Sequence, residues 1–389
     1  MQLWDRCPAG YRSGFGNAKM TWSESEGICV ILGVTVSETQ RFLMNQLQSK
    51  ENHPVLALTM GDPNGIGAEV MLKALDHLSP IRNWKPLIFG DFRVLEKVRD
   101  KLGLDLDLLK KDPETVPEMQ QEMETQIPVL DLGEHSNDWQ PGTCSRWGGE
   151  SAFRFLNTAI LWTQQGRADA IVTAPLNKEA LKKAGHDYPG HTDILAEVTG
   201  HPRAWMMLEC EKLRAVMVTL HMSMKRVLEE LSPSMILETI EVTDQALKRM
   251  GFDRPRIGVA GLNPHAGENG MFGDEEMNTI FPAIEEAKQQ GILTSGPYSP
   301  DTIFLRHQAG EFDTVVAMYH DQALVPLKLI GFGKSVNITL GLPLIRTSVD
   351  HGTAFDRAAK FNSDSSSMEA AIQSALRLCK NSIVAGDAN

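Results

Sequence analysis

Three histidines stand just beyond apolar runs of this sequence: His221 after Ala215–Leu220, His265 after the run that opens at Ile257, and His320 after Val315–Tyr319. In an open α/β sheet ligands gather at the carboxyl ends of strands, so each imidazole is placed to reach one. One strand-end histidine is ordinarily a satisfied structural residue. Three in the same local context point to a divalent-metal centre, because three imidazoles that leave one coordination position open form the ligand set of a catalytic ion. Asp321 beside His320 suits the orientation of that imidazole, or contact with bound water. Spacing alone does not say which imidazoles converge, or whether one subunit supplies them all.

Other residues suit an anion. Pro189-Gly-His-Thr-Asp193 sets an imidazole, His191, and a hydroxyl, Thr192, ahead of a helix expected to begin near Asp193. These groups can hold a carboxylate or phosphate, or Thr192 or Asp193 can cap the helix. Lys328, Asn337 and Arg346 follow at nine-residue intervals in a mostly apolar segment. A guanidinium there needs an anionic partner, either a bound phosphate or carboxylate or the nearby Asp350. The loop Gly61-Asp-Pro-Asn-Gly-Ile-Gly67 offers amides to an anion or makes a tight turn, and it matches neither common phosphate-loop pattern.

The elements that must position these groups alternate. Apolar runs at Val55–Met60, Pro86–Gly90, Ala170–Ala174, Ala215–Leu220, Arg256–Gly261 and Thr314–Met318 are mostly followed by a polar loop and a helical pattern. Helices are expected over Ala68–Leu78, Ser151–Gln165, Pro233–Met250 and Met368–Cys379, the last after a serine-rich turn. This is the pattern of a parallel sheet covered by helices.

Composition limits the partners. The chain of 389 residues carries 38 basic and 50 acidic side chains, a net charge of −12 that repels nucleic acid and anionic membrane. No apolar run approaches the roughly 20 residues of a membrane helix. Five cysteines without CxxC spacing indicate neither a disulfide framework nor a thiolate zinc site, and they fit a reducing cytoplasm. Residues 1–53 lack periodicity and are expected to be a poorly ordered extension, with Met44 a plausible alternative start.

From Val55 to Cys379 the chain resembles the 4-hydroxythreonine-4-phosphate dehydrogenase family of vitamin B6 synthesis. The resemblance rests on GDPNGIG at Gly61, VTAPLNKEAL at Val172, GHTD at Gly190, GLNPHAGENG at Gly261, AMYHDQ at Ala317 and GKSVNITLGLPLIRTSVDHGTAFD at Gly333. It implies an isocitrate/isopropylmalate dehydrogenase-like fold of two α/β domains with the site in the cleft between them. Residues 54–180 with 320–389 would form one domain and 181–319 the other. It also implies that His221, His265 and His320 bind a zinc, cobalt or magnesium ion, and that His191, Thr192, Lys328, Asn337 and Arg346 contact substrate.

His351-Gly-Thr-Ala-Phe-Asp356 looks like the dinucleotide loop of that superfamily, which implies NAD or NADP contacts at His351, Gly352, Thr353 and Ala354. Phe355 departs from the proline of those relatives. The implied reaction oxidises carbon 3 of 4-hydroxythreonine-4-phosphate with help from the ion; the β-keto acid then loses carbon dioxide to give 3-amino-2-oxopropyl phosphate. Related members act on 4-phosphoerythronate, 4-phospho-D-threonate or carboxylated cis-dihydrodiols. The resemblance further implies a homodimer with its site completed across the interface. From another class, the histidines could serve a metal-dependent hydrolase or aldolase, against which the His351–Asp356 loop stands.

Overall fold

A computed structural model describes residues 20–23, 28–31, 53–79, 83–113, 126–134, 138–211, 213–331 and 333–386. Within 1–53, β1 (Met20–Ser23) and β2 (Ile28–Ile31) pair antiparallel. The sequence pattern gave no sign of this hairpin; the rest of the expectation for that segment, Met44 included, lies outside the described residues.

From Pro54 onward one mixed sheet of 12 strands organises the chain, in the order β11-β10-β12-β9-β8-β13-β14-β7-β3-β4-β6-β5. Its strands are β3 (Val55–Thr59), β4 (Lys85–Gly90), β5 (Leu108–Lys111), β6 (Ile127–Asp131), β7 (Ala170–Thr173), β8 (Trp205–Cys210) and β9 (Leu213–Met217). They continue with β10 (Ile257–Ala260), β11 (Thr294–Tyr298), β12 (Thr314–Ala317), β13 (Val336–Leu340) and β14 (Ile345–Val349). All six apolar runs of the sequence become strands. Buried on both faces, they read as continuous apolar stretches because helices cover the sheet. The helices Gly67–Leu78, Arg146–Gln164, Pro233–Arg249 and Ser366–Gly386 do that covering, the last longer at both ends than its apolar spacing suggests.

The sheet runs unbroken where the sequence places a division between two domains. β5, β6, β4, β3, β7 and β14 are mutually parallel, as are β9, β12, β10 and β11. Two antiparallel strands, β13 and β8, join the two sets. Antiparallel register places directly opposed residues on one face, so Arg346, Thr339 and Met206 share a face in one row, and Ser348, Asn337 and Leu208 in the next. Thr173 of β7 lies beside Ser348 on that same face.

Two loops position the remaining site residues. Gly61–Gly67 is a tight turn, not an anion cradle: its amides are engaged internally, Asp62 N to Pro175 O (2.9 Å), Asn64 N to Asp62 Oδ1 (2.9 Å), Gly65 N to Asp62 O (2.9 Å) and Ile66 N to Thr353 O (3.0 Å). A Cβ on Gly61 would lie 2.2 Å from Pro175 O, so only glycine allows this approach. Burial pushes the Asp62 carboxyl up to about 7. Through Ile66 the turn holds the chain that follows His351.

The second loop, Pro264–Gly270, is left-handed: His265, Ala266, Glu268 and Asn269 have φ of 52°, 52°, 43° and 56°. Four non-glycine residues in this region cost roughly 1–2 kcal/mol each, and such strain persists only where surrounding bonds fix the chain. The buried Glu276 carboxylate fixes it. Glu276 Oε1 accepts from Leu262 N (2.7 Å) and Asn263 N (2.8 Å), and Oε2 accepts from Asn263 Nδ2 (3.0 Å). Glu276→Ala should strand these donors and lower stability by about 1–3 kcal/mol in urea unfolding. Amide exchange should quicken across 262–273; unchanged exchange there would show that the turn holds itself.

Candidate functional site

A cavity of about 530 Å³ opens on the face of β7, β14, β13 and β8 described above. Thr173, Arg346, Ser348, Asn337 and Met206 line it from the sheet. His191, Thr192 and Asp193 enter from the helix His191–Thr199, whose first residue is two positions earlier than the sequence pattern suggests. Its N-cap is Gly190 with no side-chain cap bond, so Thr192 and Asp193 are not spent on capping and face the cavity instead. Lys178, Arg203, His221, His351 and Gly352 complete the charged and polar wall.

Arg346 dominates the electrostatics. Its side chain is 2% exposed, and it donates to two hydroxyls, from Nη1 to Thr339 Oγ1 (3.1 Å) and from Nη2 to Thr173 Oγ1 (2.6 Å). Nε has no partner. The alternative of an internal ion pair with Asp350 is not realised, because Asp350 Oδ2 lies 3.7 Å from Lys328 Nζ. Burial pulls the guanidinium down to about 9. Asn337 Oδ1 and His351 Nε2 are also buried without partners. Buried polar groups are normally satisfied, so three orphans around one cavity call for a ligand. Desolvation, followed by the charge of Arg346, holds the half-buried His191 imidazole well below its usual pKa, hence neutral.

His221, in the cavity wall, and His320 lie with their ring centroids 5.4 Å apart. Two imidazoles bound to one tetrahedral ion, with Zn–N near 2.0–2.1 Å, place their ring centroids roughly 5 Å apart, so this pair fits a shared metal. His320 Nδ1 lies 2.7 Å from Asp321 Oδ1, which leaves Nε2 for coordination. Desolvation first, then the charges of Lys178 and His320, lowers the His221 pKa and favours the neutral, coordinating form. His265 does not join them within one chain. It stands exposed on the left-handed turn, against Phe272 (centroids 6.2 Å), and among the described residues no three potential ligands of one chain gather.

The remaining expected residues divide. His351 and Gly352 line the cavity, whereas Thr353 is buried against Gly65 and Ala354, at φ 43°, leads into the short helix Phe355–Ala358. Lys328 is held near Asp350 and is not part of the cavity wall. Sequence reasoning missed Thr173, Lys178, Asp193, Arg203 and Ser348. Thr173 and Lys178 lie inside the VTAPLNKEAL motif, so a signal was present, but nothing in the spacing separates a wall residue from its neighbours.

The cavity's composition can be set beside that of known proteins. Residues 82–375 match the family model described as pyridoxal phosphate biosynthetic protein PdxA. A D-threonate 4-phosphate dehydrogenase of Cupriavidus necator is 45% identical over 84% of this chain and 97% of its own length. A 4-hydroxythreonine-4-phosphate dehydrogenase of Beijerinckia indica is 44% identical over 84% and 95%. The crystal structure of 4-hydroxythreonine-4-phosphate dehydrogenase from Klebsiella pneumoniae superposes with a TM-score of 0.75 at 41% identity, covering 84% of this chain and 99% of that one. On this agreement over nearly the whole of its relatives' length, the chain belongs to the pyridoxal phosphate biosynthetic protein PdxA family.

Proposed function

We propose that this dehydrogenase of the PdxA family oxidises the secondary alcohol of a phosphorylated four-carbon hydroxy acid with NAD or NADP in the cytoplasm, 4-hydroxythreonine-4-phosphate being the leading substrate. The observation that carries the reading is the buried, carboxylate-free Arg346 with the orphaned Asn337 and His351 atoms, in a cavity whose wall also holds His221, the partner of His320. Relatives at 45% and 43% identity named for D-threonate 4-phosphate favour its 2-hydroxy counterpart as a second reading.

In this reading Arg346, Asn337, His191 and Thr192 receive the phosphate, with forked and single donors converging on its oxygens, and Lys328 approaches from the Asp350 side. His221 and His320, with His265 of a second copy, hold a zinc, cobalt or magnesium ion that lowers the cost of negative charge on the substrate oxygen. The neutral His191 donates a hydrogen bond without adding charge. His351 and Gly352, with Thr353 and Ala354 behind them, face the nicotinamide nucleotide. Oxidation at carbon 3 yields a β-keto acid, and its carboxylate departs as carbon dioxide while the ketone takes up the electron pair. Residues 54–180 with 320–389 and 181–319 act as two lobes about the cavity.

A homodimer accounts for the position of His265. The turn that carries it is bordered by exposed Met271, Phe272, Met277 and Phe281, an apolar surface suited to a partner subunit.

Parallel assays at 340 nm with 4-hydroxythreonine-4-phosphate, D-threonate 4-phosphate and 4-phosphoerythronate test the assignment. Reduced nucleotide with none of them sinks the dehydrogenase reading. Arg346→Ala should raise the substrate KM by about ten- to hundredfold, the loss of a charge-assisted bond of roughly 1.5–3 kcal/mol, while metal content stays unchanged. His265→Ala should instead lose metal and turnover together; the opposite pattern in the two variants would reverse the assignment. Mixing inactive His221→Ala with inactive His265→Ala protein should restore about a quarter of wild-type activity, because half the reassorted dimers carry one intact site. No recovery after verified subunit exchange would place all ligands in one chain.

A further inference from the structure

The cavity holds a cation to which none of the roles above belongs. Lys178 lies in its wall, at the start of the helix Lys178–Ala184, and is exposed. Among the described residues it has no hydrogen bond or ion pair. The other rim cation, Arg203, is already engaged: Nη2 donates to Val218 O (2.8 Å) and Nη1 lies 3.4 Å from Glu238 Oε2. Lys178 shares the cavity wall with Arg346, His191 and His221, and its Cε would lie 3.9 Å from a Cβ on Gly190, the residue before His191.

A phosphorylated hydroxy acid carries two anions, one on each side of the carbon that is oxidised. The floor around Arg346 offers several fixed donors, which suits the oxygens of a phosphate. The carboxylate is only two bonds from the reacting carbon, so its subsite must lie close to the histidine pair. We propose that Lys178 is the cation that binds the substrate carboxylate, with Arg346 and Lys178 reading the two ends of one doubly anionic substrate. The assignment rests on the phosphorylated hydroxy acid reading given above. A single ammonium on a flexible stem also suits this anion better than a fork does, because the carboxylate must leave as neutral carbon dioxide. The pairing fixes the orientation of the substrate and favours it over phosphorylated alcohols that lack the acid.

The test uses the full-length enzyme, Lys178→Met and Lys178→Arg, with two ligands. One is D-threonate 4-phosphate; the other, propane-1,2-diol 1-phosphate, keeps the phosphate and an adjacent hydroxyl but has no carboxylate. Calorimetric Kd values are measured for both ligands and KM and kcat for the first. Lys178→Met should weaken the carboxylate ligand about ten- to hundredfold and raise KM in step, with the diol phosphate bound within about twofold of wild type. Lys178→Arg should recover most of the loss. Because the side chain is outside the core, these variants should fold as wild type does. Equal weakening of both ligands would assign Lys178 to the phosphate, and no weakening of either would remove it from the site; each overturns the proposal. Wild-type protein that binds the acid but reduces no nucleotide with D-threonate 4-phosphate, 4-hydroxythreonine-4-phosphate or 4-phosphoerythronate would refute the dehydrogenase reading and leave the lysine assignment to be read from the Kd values alone.

Discussion

A guanidinium placed in the middle of a sheet, with hydroxyls in place of a carboxylate, sets the terms for everything around it. Desolvating Arg346 is costly, and two neutral hydrogen bonds to Thr173 and Thr339 offset only part of the cost. An internal carboxylate would have neutralised the charge and closed the site. Holding Asp350 toward Lys328 keeps Arg346 available to a bound anion. Desolvation first, and then the same field, keeps His191 neutral, so that a donor without charge stands in the same cavity as the guanidinium.

That arrangement depends on register. Arg346, Thr339 and Met206 share a face only because β13 runs antiparallel between β14 and β8. A one-residue slip would turn the guanidinium and Asn337 toward the helix Ser366–Gly386 and present apolar residues to the cavity. Thr347, the neighbour of Arg346 on the opposite face, already bonds to Ala371 O of that helix at 2.8 Å, which helps to lock the register. The buried Glu209 gives further support, since it is paired with Arg214 of β9 at 2.8 Å and with Arg377 of the same helix.

The histidines obey a different logic. His221 and His320 follow adjacent strands and meet as the strand-end rule leads one to expect. His265 follows β10, also beside β12, yet a left-handed turn carries it away. The strain of this turn is tied down by the buried Glu276 carboxylate, and exposed apolar side chains border it.

Much of this was legible in the sequence. Apolar runs located six strands, and amphipathic spacing located the main covering helices, because burial on both faces or one face leaves a direct pattern along the chain. The strands β5, β6, β8, β11, β13 and β14 were not recognised: β11 is Thr-Ser-Gly-Pro-Tyr, and β5 contains two lysines, so neither of these shows the apolar run that marks a central strand. Residue types and motif order determined the family and most of the cavity's polar groups. What the sequence could not decide was partnership. Whether Arg346 meets Asp350 or a ligand, whether Thr192 caps a helix or faces a cavity, and whether His265 reaches its fellow histidines all turn on distances between segments far apart in the chain. Local spacing carries no information about those distances; strand register, an unspent N-cap and the hand of one turn fix them only once the sheet has formed.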